Sequence, residues 1–306
     1  MNIAPDASHV SSPARETRQE LAASRARRKL RENLRKAVIY GLLGVGALIF
    51  VAPLYWMITT SLKTNAEAYL IPPTLFPRVL RFANYSDAWN YEDMQFTVWT
   101  LNTIFITAAV MVGVLLTSSL CAYGFARMRF PGRDFWFFAT LASVMLPSQV
   151  TLIPLYILFF RIGWLDTFKP LIIPAWFGGG AINIFLLRQF FMGIPEELED
   201  AALIDGAGRF RIWWSIFLPL SIPAMLTVAI FTFQAVWNDF FGPLVFLTSH
   251  DNYTLALGIN LFKGVYSTQT QFLMAMSTVM AIPMILLFFF AQRYFIRGIV
   301  LTGINR

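Results

Sequence analysis

The sequence predicts an all-α polytopic membrane protein with six spanning helices, and three observations carry that reading. Charge is scarce: 57% of the 306 residues are hydrophobic and 13% are charged, against about 25% charged in an ordinary soluble domain. Mean hydropathy is correspondingly high, at +0.59. Six stretches reach the roughly 20 apolar residues that a spanning helix needs: about 38–61, 97–123, 135–160, 170–191, 220–247 and 272–296. Finally, lysine and arginine alternate in density between the loops that join them.

Residues 1–37 form a basic tail. Nine cations, from Arg15 to Lys36, stop where the apolar sequence begins. They read as a topology signal with a mild attraction to anionic lipid, because no aromatic platform or recognised nucleic-acid fold accompanies them. Residues 38–306 form the transmembrane part. The first stretch is too long for a signal-peptide core and lacks a cleavage site, so it is expected to remain in the protein. Placing the N-terminus in the cytoplasm puts eighteen Lys and Arg on that side. Six lie on the other: Lys63, Arg78, Arg81, Arg161, Lys169 and Lys263. By the positive-inside rule both termini are cytoplasmic.

Two outer loops are longer than connection requires. Residues 62–96 carry Pro72, Pro73, Pro77, Tyr85, Trp89 and Tyr91, and residues 248–271 are polar and glycine-bearing. The spans themselves are interrupted: Pro147, Ser148, Gln149 and Pro154 in the third, Gly178, Gly179 and Gly180 in the fourth, Pro283 in the sixth. Such residues are tolerated in spans where neighbouring helices or water satisfy the freed backbone groups. Together they favour a bundle with a polar interior, hence a pathway.

Candidate pathway residues lie in and near the spans: Asn102, Gln234, Trp237, Asn238 and Asp239. Asp239 is sixteen residues beyond Pro223, about 24 Å along a helix, which places it toward the outer interface. Trp237 equally fits an aromatic belt, and interhelical hydrogen bonding equally explains Asn102.

Several chemistries are excluded or disfavoured. Cys121 is the only cysteine, so there is no internal disulfide or cysteine metal cluster. His9 and His250 lie far apart in polar segments. No phosphate-binding glycine loop is present, and no nucleophile or acid–base set converges in the spans. The chain is expected to be no enzyme and to hold no cofactor of its own.

One cytoplasmic segment, 195–219, has too much structure for a connection. Four acids, Glu196, Glu197, Glu199 and Asp200, follow Pro195; proline suits a first helical position and acids suit the positive end of the helix dipole. Gly206 is a natural C-terminal stop. The Ala201-Ala202 pair would leave a low ridge for the close approach of another protein. Phe210, Trp213, Trp214 and Phe217 then recur at helical spacing, as in a segment lying at the membrane interface.

Asp200, Ala201, Ala202, Gly206, Ile216, Leu218 and Pro219 match the "EAA" motif of permease subunits of ABC importers, with aspartate where that family usually has glutamate. From about residue 38 onward, segments such as "LCAYGFARMRFPGR", "IPEELEDAALIDGA" and "FTFQAVWNDFFGPLVFL" resemble the MalG-type permeases of carbohydrate uptake. The resemblance implies a MetI-like permease core in a bacterial or archaeal inner or plasma membrane. It implies a cytoplasmic coupling helix made by Glu199, Asp200, Ala201, Ala202, Asp205, Gly206 and Ala207, with Glu199 able to stand in for the shortened Asp200. The implied partners are a MalF-like second permease, two ATPase subunits that bind ATP and magnesium, and an extracytoplasmic sugar-binding protein. The 248–271 loop would reach that binding protein, and Arg297–Arg306 would touch the ATPases. Alternatives are a permease for a polyol or glycerol phosphate, or a non-conducting anchor for ATPase subunits.

Overall fold

A computed structural model describes residues 13–263 and 269–301. Part of the 248–271 loop and the last five residues of the tail therefore lie outside the described residues. The regular structure is helical, with no strand among the described residues. The chain divides into two units between Met57 and Ile58, which are described separately. In the first, α1 (Pro13–Ser61) runs from the basic tail straight through the composition break at residue 37, and carries the division within it.

In the second unit, α2 (Asn65–Ala68) and α3 (Ala83–Trp89) belong to the first long loop. The spanning helix α4 (Phe96–Arg127) follows. At 32 residues it measures about 48 Å, so Phe96 and Arg127 mark opposite ends of the bundle. Its buried face, including Ile106, Val110, Val114, Ala122 and Tyr123, forms the core with Ile184, Leu187 and Phe191 from the fourth span and Val228 from the fifth. The face away from that core is apolar and exposed, as at Leu101, Phe105 and Leu120, which suits lipid rather than water.

Three of the expected spans are not single helices. The third is α5 (Arg133–Ala142), a 3₁₀ turn, and α6 (Ser148–Arg161), bent by 98°. Leu146 is extended, as a residue before proline prefers, and Pro147 ends the first helix. The fourth is α7 (Lys169–Ile172), a 3₁₀ turn to Trp176, and α8 (Ala181–Met192), separated by the Gly178–Gly180 run. Next come α9 (Glu196–Ile204), α10 (Arg209–Ile212), a π-helical turn (Trp213–Phe217) and α11 (Leu218–Leu220). The chain bends by 80° into α12 (Ile222–Trp237). Pro223 offers no N–H to the carbonyl of Pro219 four residues back, and the buried Ser221 fills the corner by donating its hydroxyl to the Phe217 carbonyl at 2.6 Å. The fifth span thus ends at Trp237, ten residues before the expected limit, and a separate α13 (Phe241–Phe246) follows. Finally α14 (Leu255–Ile259) lies in the second long loop, and α15 (Thr270–Leu301) is the last span. Among the described residues, four helical stretches are long and apolar enough to cross a membrane, or up to six if each bent pair is one span.

Both long loops fold on the Phe96 end. Asn84 is buried and donates to the carbonyls of Ser61 and Lys63, each at 2.7 Å. Phe96 stacks on Phe262 with centroids 5.6 Å apart, and Trp99 Nε1 donates to the His250 carbonyl at 2.7 Å. These are built caps, not slack connections.

The glycine run in the fourth span has a packing cause. Gly179 sits at φ +66°, and a Cβ there would lie 2.7 Å from the Val114 carbonyl and 2.9 Å from Ser118 Cβ of α4. The atoms nearest a Cβ at Gly113 belong to the ring of Trp176, a half-exposed side chain that can swing away. Gly179→Ala should therefore lower the thermal midpoint in detergent distinctly, at a cost of about 1–3 kcal/mol, whereas Gly113→Ala should cost less. Equal midpoints for the two variants would contradict this account of the α4–α8 contact.

Candidate functional site

At the Arg127 end of the bundle, α9 stands out from the core. Its acids at the first turn complement the helix dipole. Its end is a Schellman motif: Ala207 N–H donates to the Ala202 carbonyl at 2.9 Å and Gly206 N–H to the Leu203 carbonyl at 3.0 Å, with Gly206 at φ +78°. Nothing lies within 4 Å of a Cβ built at Gly206, so the left-handed backbone, not crowding, calls for glycine.

The helix has two faces. Inward, Glu199 is buried, while Ala202 and Ala207 pack on the core. Outward, Glu197, Asp200, Ala201 and Asp205 are exposed, and Ile204 is 87% exposed. The expected alanine ridge is thus half as wide as the sequence implied. Ala201 faces away from the protein, but Ala202, three residues after Glu199, faces into it.

Glu199 and Arg127 hold α9 to the bundle. The side chains of Arg127 and Glu199 are 5% and 8% exposed. Arg127 Nε lies 3.9 Å from Glu199 Oε2, and Nη1 lies 3.8 Å from Glu196 Oε1. Arg209 bonds the other oxygen of Glu199, which also accepts from Tyr123 Oη at 3.4 Å. Arg127 Nη2 also donates to the carbonyls of Phe191, at 2.6 Å, and Ile194. Its guanidinium lies 5.2 Å from the centroid of Phe217. Removing one member of such a buried pair typically costs about 3–5 kcal/mol. The acid that binds the bundle is therefore Glu199, while Asp200, the motif's own acidic position, is exposed. Sequence reasoning missed Arg127. The signal available was an arginine closing the apolar run of α4. Beside α9 lies a cavity of 490 Å³ whose wall includes Arg127 and Glu199 themselves, together with Arg129, Arg133, Arg209 and Asp200.

The pathway candidates do not form one cluster. Asn102 holds the second loop, donating to the carbonyls of Asp251 at 2.8 Å and Tyr253 at 3.0 Å. Trp237 is buried, stacks on Phe233 and donates to the Met280 carbonyl at 3.0 Å, so it is a core residue and not a belt residue. Asp239 lies past the end of α12, where it caps α13 by accepting from Gly242 N–H at 3.0 Å. It also lines a 50 Å³ cavity with Thr103 and Thr254. Gln234 and Asn238 are exposed. Asn238 borders an open 300 Å³ cavity shared with Phe240, Asn260, Lys263 and Ser277. All five residues were pathway candidates; two of them, Asn102 and Trp237, are occupied in holding the fold.

Sequence reasoning also missed Asp166, between α6 and α7. Its carboxylate accepts from the amides of Thr248 and Ser249, each at 2.9 Å, and from the Ser249 hydroxyl. Burial alone would push its pKa up, but these hydrogen bonds together hold it well below the usual carboxylate range. A depressed carboxyl stabilises the fold above its unfolded value, about 3.9, and loses that contribution only as pH falls through the lower folded value. Amide exchange at Thr248 and Ser249 should accordingly stay protected at pH 4 and above. In Asp166→Ala it should be fast at neutral pH. Protection unchanged by that substitution would show that the loop is held elsewhere.

Comparison with known proteins follows the same lines. The family described as binding-protein-dependent transport system inner membrane component matches residues 109–300. The arabinooligosaccharides transport system permease protein AraQ of Halalkalibacterium halodurans is 34% identical, over 85% of this chain and 92% of its own. The sn-glycerol-3-phosphate transport system permease protein UgpE of Yersinia pestis is 31% identical, over 84% and 92%. A crystal structure of a bacterial ABC transporter that imports the acidic polysaccharide alginate superposes with a TM-score of 0.75 at 25% identity. The match covers 86% of this chain and 97% of that one.

Proposed function

Because the chain belongs to the family of binding-protein-dependent transport system inner membrane components, we propose that it is the permease subunit of an importer for a sugar or oligosaccharide, with α9 as its docking helix for an ATPase subunit. The observation that carries the docking role is the division of α9 into two faces. Glu199 and Ala202 fix one face to the bundle, and the other presents Ala201, Asp200 and the bare side chain of Ile204. An isoleucine so exposed, in a segment where Leu198, Phe210 and Trp214 are exposed too, fits a cleft with an apolar floor and basic walls. The chain has no phosphate-binding loop, so ATP and magnesium belong to partner subunits: two ATPases working with a second, MalF-like permease and an extracytoplasmic binding protein. Closure of the ATPases around ATP would move α9, and α9 would turn the bundle from inward- to outward-facing.

Saccharide is favoured by AraQ and by the alginate importer. A glycerol phosphate substrate is the second reading, favoured by the likeness to UgpE. In either case α9 and both termini are cytoplasmic in this proposal, and the 62–96 and 248–271 loops face outward.

Ala201→Trp should abolish retention of ATPase subunits during purification while leaving the thermal midpoint of the chain unchanged. Ala202→Trp should lower that midpoint, because its Cβ faces the protein's own core. Full retention of ATPase subunits by Ala201→Trp would remove the docking role from this helix.

Topology is checked with the lone cysteine replaced by serine. A cysteine at exposed Gly208 should react only with reagents in the cytoplasm, and one at exposed Leu80 only with reagents outside. Reaction from the opposite side at either position would invert the proposed orientation.

A further inference from the structure

We propose that Arg127 is the positioning residue that joins the docking helix to the spanning helices, so that α4, α8 and α9 shift as one body when α9 is displaced. The inference rests on the docking role of α9 and adds the route by which its movement reaches the bundle.

Four chain segments meet at this one side chain. Arg127 is the last residue of α4. Its Nη2 reaches Phe191 in the last turn of α8 and Ile194 just beyond it. Carbonyls at a helix C-terminus lack intrahelical donors and carry the negative end of the dipole, so a cation is well matched to them. On its other edge are the carboxylates of Glu196 and Glu199 in α9. Below it is the ring of Phe217, which is fully buried between Tyr123 and Phe191 and lies in the π-helical turn leading to α12.

A planar guanidinium faces the two carbonyls with Nη2 and the carboxylates with Nε and Nη1 at once, a fixed spread that a compact ammonium lacks. Because the Arg127 side chain is 5% exposed and sits in the wall of the cavity beside α9, α9 cannot lift from α4 without parting a largely buried cation from its carboxylates. Movement in concert keeps every partner. Arg209 reinforces this from the far side of Glu199, at the start of the segment that runs to α12. A static brace would satisfy the same hydrogen bonds, so the test must follow movement.

The experiment uses the assembled importer, this chain with its co-purifying subunits, in lipid nanodiscs on a Cys121→Ser background. Spin labels at Leu120, on the exposed face of α4, and at exposed Leu203 of α9, off the residues assigned to docking, report the distance between the two helices with and without ATP–vanadate. In a second preparation, outside labelling of a cysteine at Asn238 reports outward opening. With Arg127 present, the distance distribution should be narrow and the same in both states. In Arg127→Gln it should broaden and shift with ATP–vanadate while the ATPase subunits stay bound, and the ATP-driven gain in labelling should fall on the order of tenfold. Glu199→Gln keeps side-chain size and leaves the carbonyl bonds of Arg127 in place; it answers the same question should Arg127→Gln be lost in purification. A nucleotide-dependent distance with Arg127 present, or full ATP-driven labelling in the substituted complex, would overturn the proposal. Failure of the docking role itself would show separately, as ATPase subunits that remain bound to Ala201→Trp.

Discussion

An arginine side chain packed among four chain segments at the end of α4 sets the terms for one whole end of this protein. Once Arg127 is buried, two carbonyls, two carboxylates and an aromatic face must stay within reach of it. That requirement fixes where α8 stops, where α9 starts and how the π-helical turn approaches the core. The outward face of α9 is then free of structural duty. In the proposed docking role its exposed residues answer to a partner, while Glu199 and Ala202 answer to the fold.

The opposite end is organised by hydrogen bonds between loops and helix ends instead of by buried charge. Asn84 closes the first loop onto Ser61 and Lys63, Trp99 and Asn102 receive the second, and Asp166 pins the strand of chain before α14. Gly258 lies directly on the ring of Trp99, where no side chain would fit. These loops make a shaped surface, as a region that meets another protein requires.

Much of this was legible in the sequence where the cause is local. Apolar runs located the spans, because the need for hydrocarbon contact is written residue by residue. Pro195 and Gly206 marked the bounds of α9 for backbone reasons that act within one turn. What escaped was the angle of each break: Pro147 and Pro223 announce that a helix is interrupted, but 98° and 80° are set by neighbours. The pairing of Arg127 with Glu199 escaped because they are 72 positions apart in the chain, and nothing local joins them. The direction of Ala202 could have been read, since a residue three after a buried glutamate shares its face. Trp237 looked like a belt residue because hydropathy does not report that its indole donates inward, to Met280.

The early end of the fifth span carries a geometric consequence. As 16 residues, α12 rises about 24 Å, less than the roughly 30 Å of hydrocarbon in a typical bilayer. Asn238 and Asp239 follow at once, and lipid cannot solvate them. If α12 alone makes the crossing, without the α10–α11 half of this bent span, the bilayer thins beside it or a water-filled vestibule dips below the level of the surrounding headgroups. A vestibule brings bulk solvent several ångströms into the membrane plane, and a solute entering it has a shorter dry barrier left to cross.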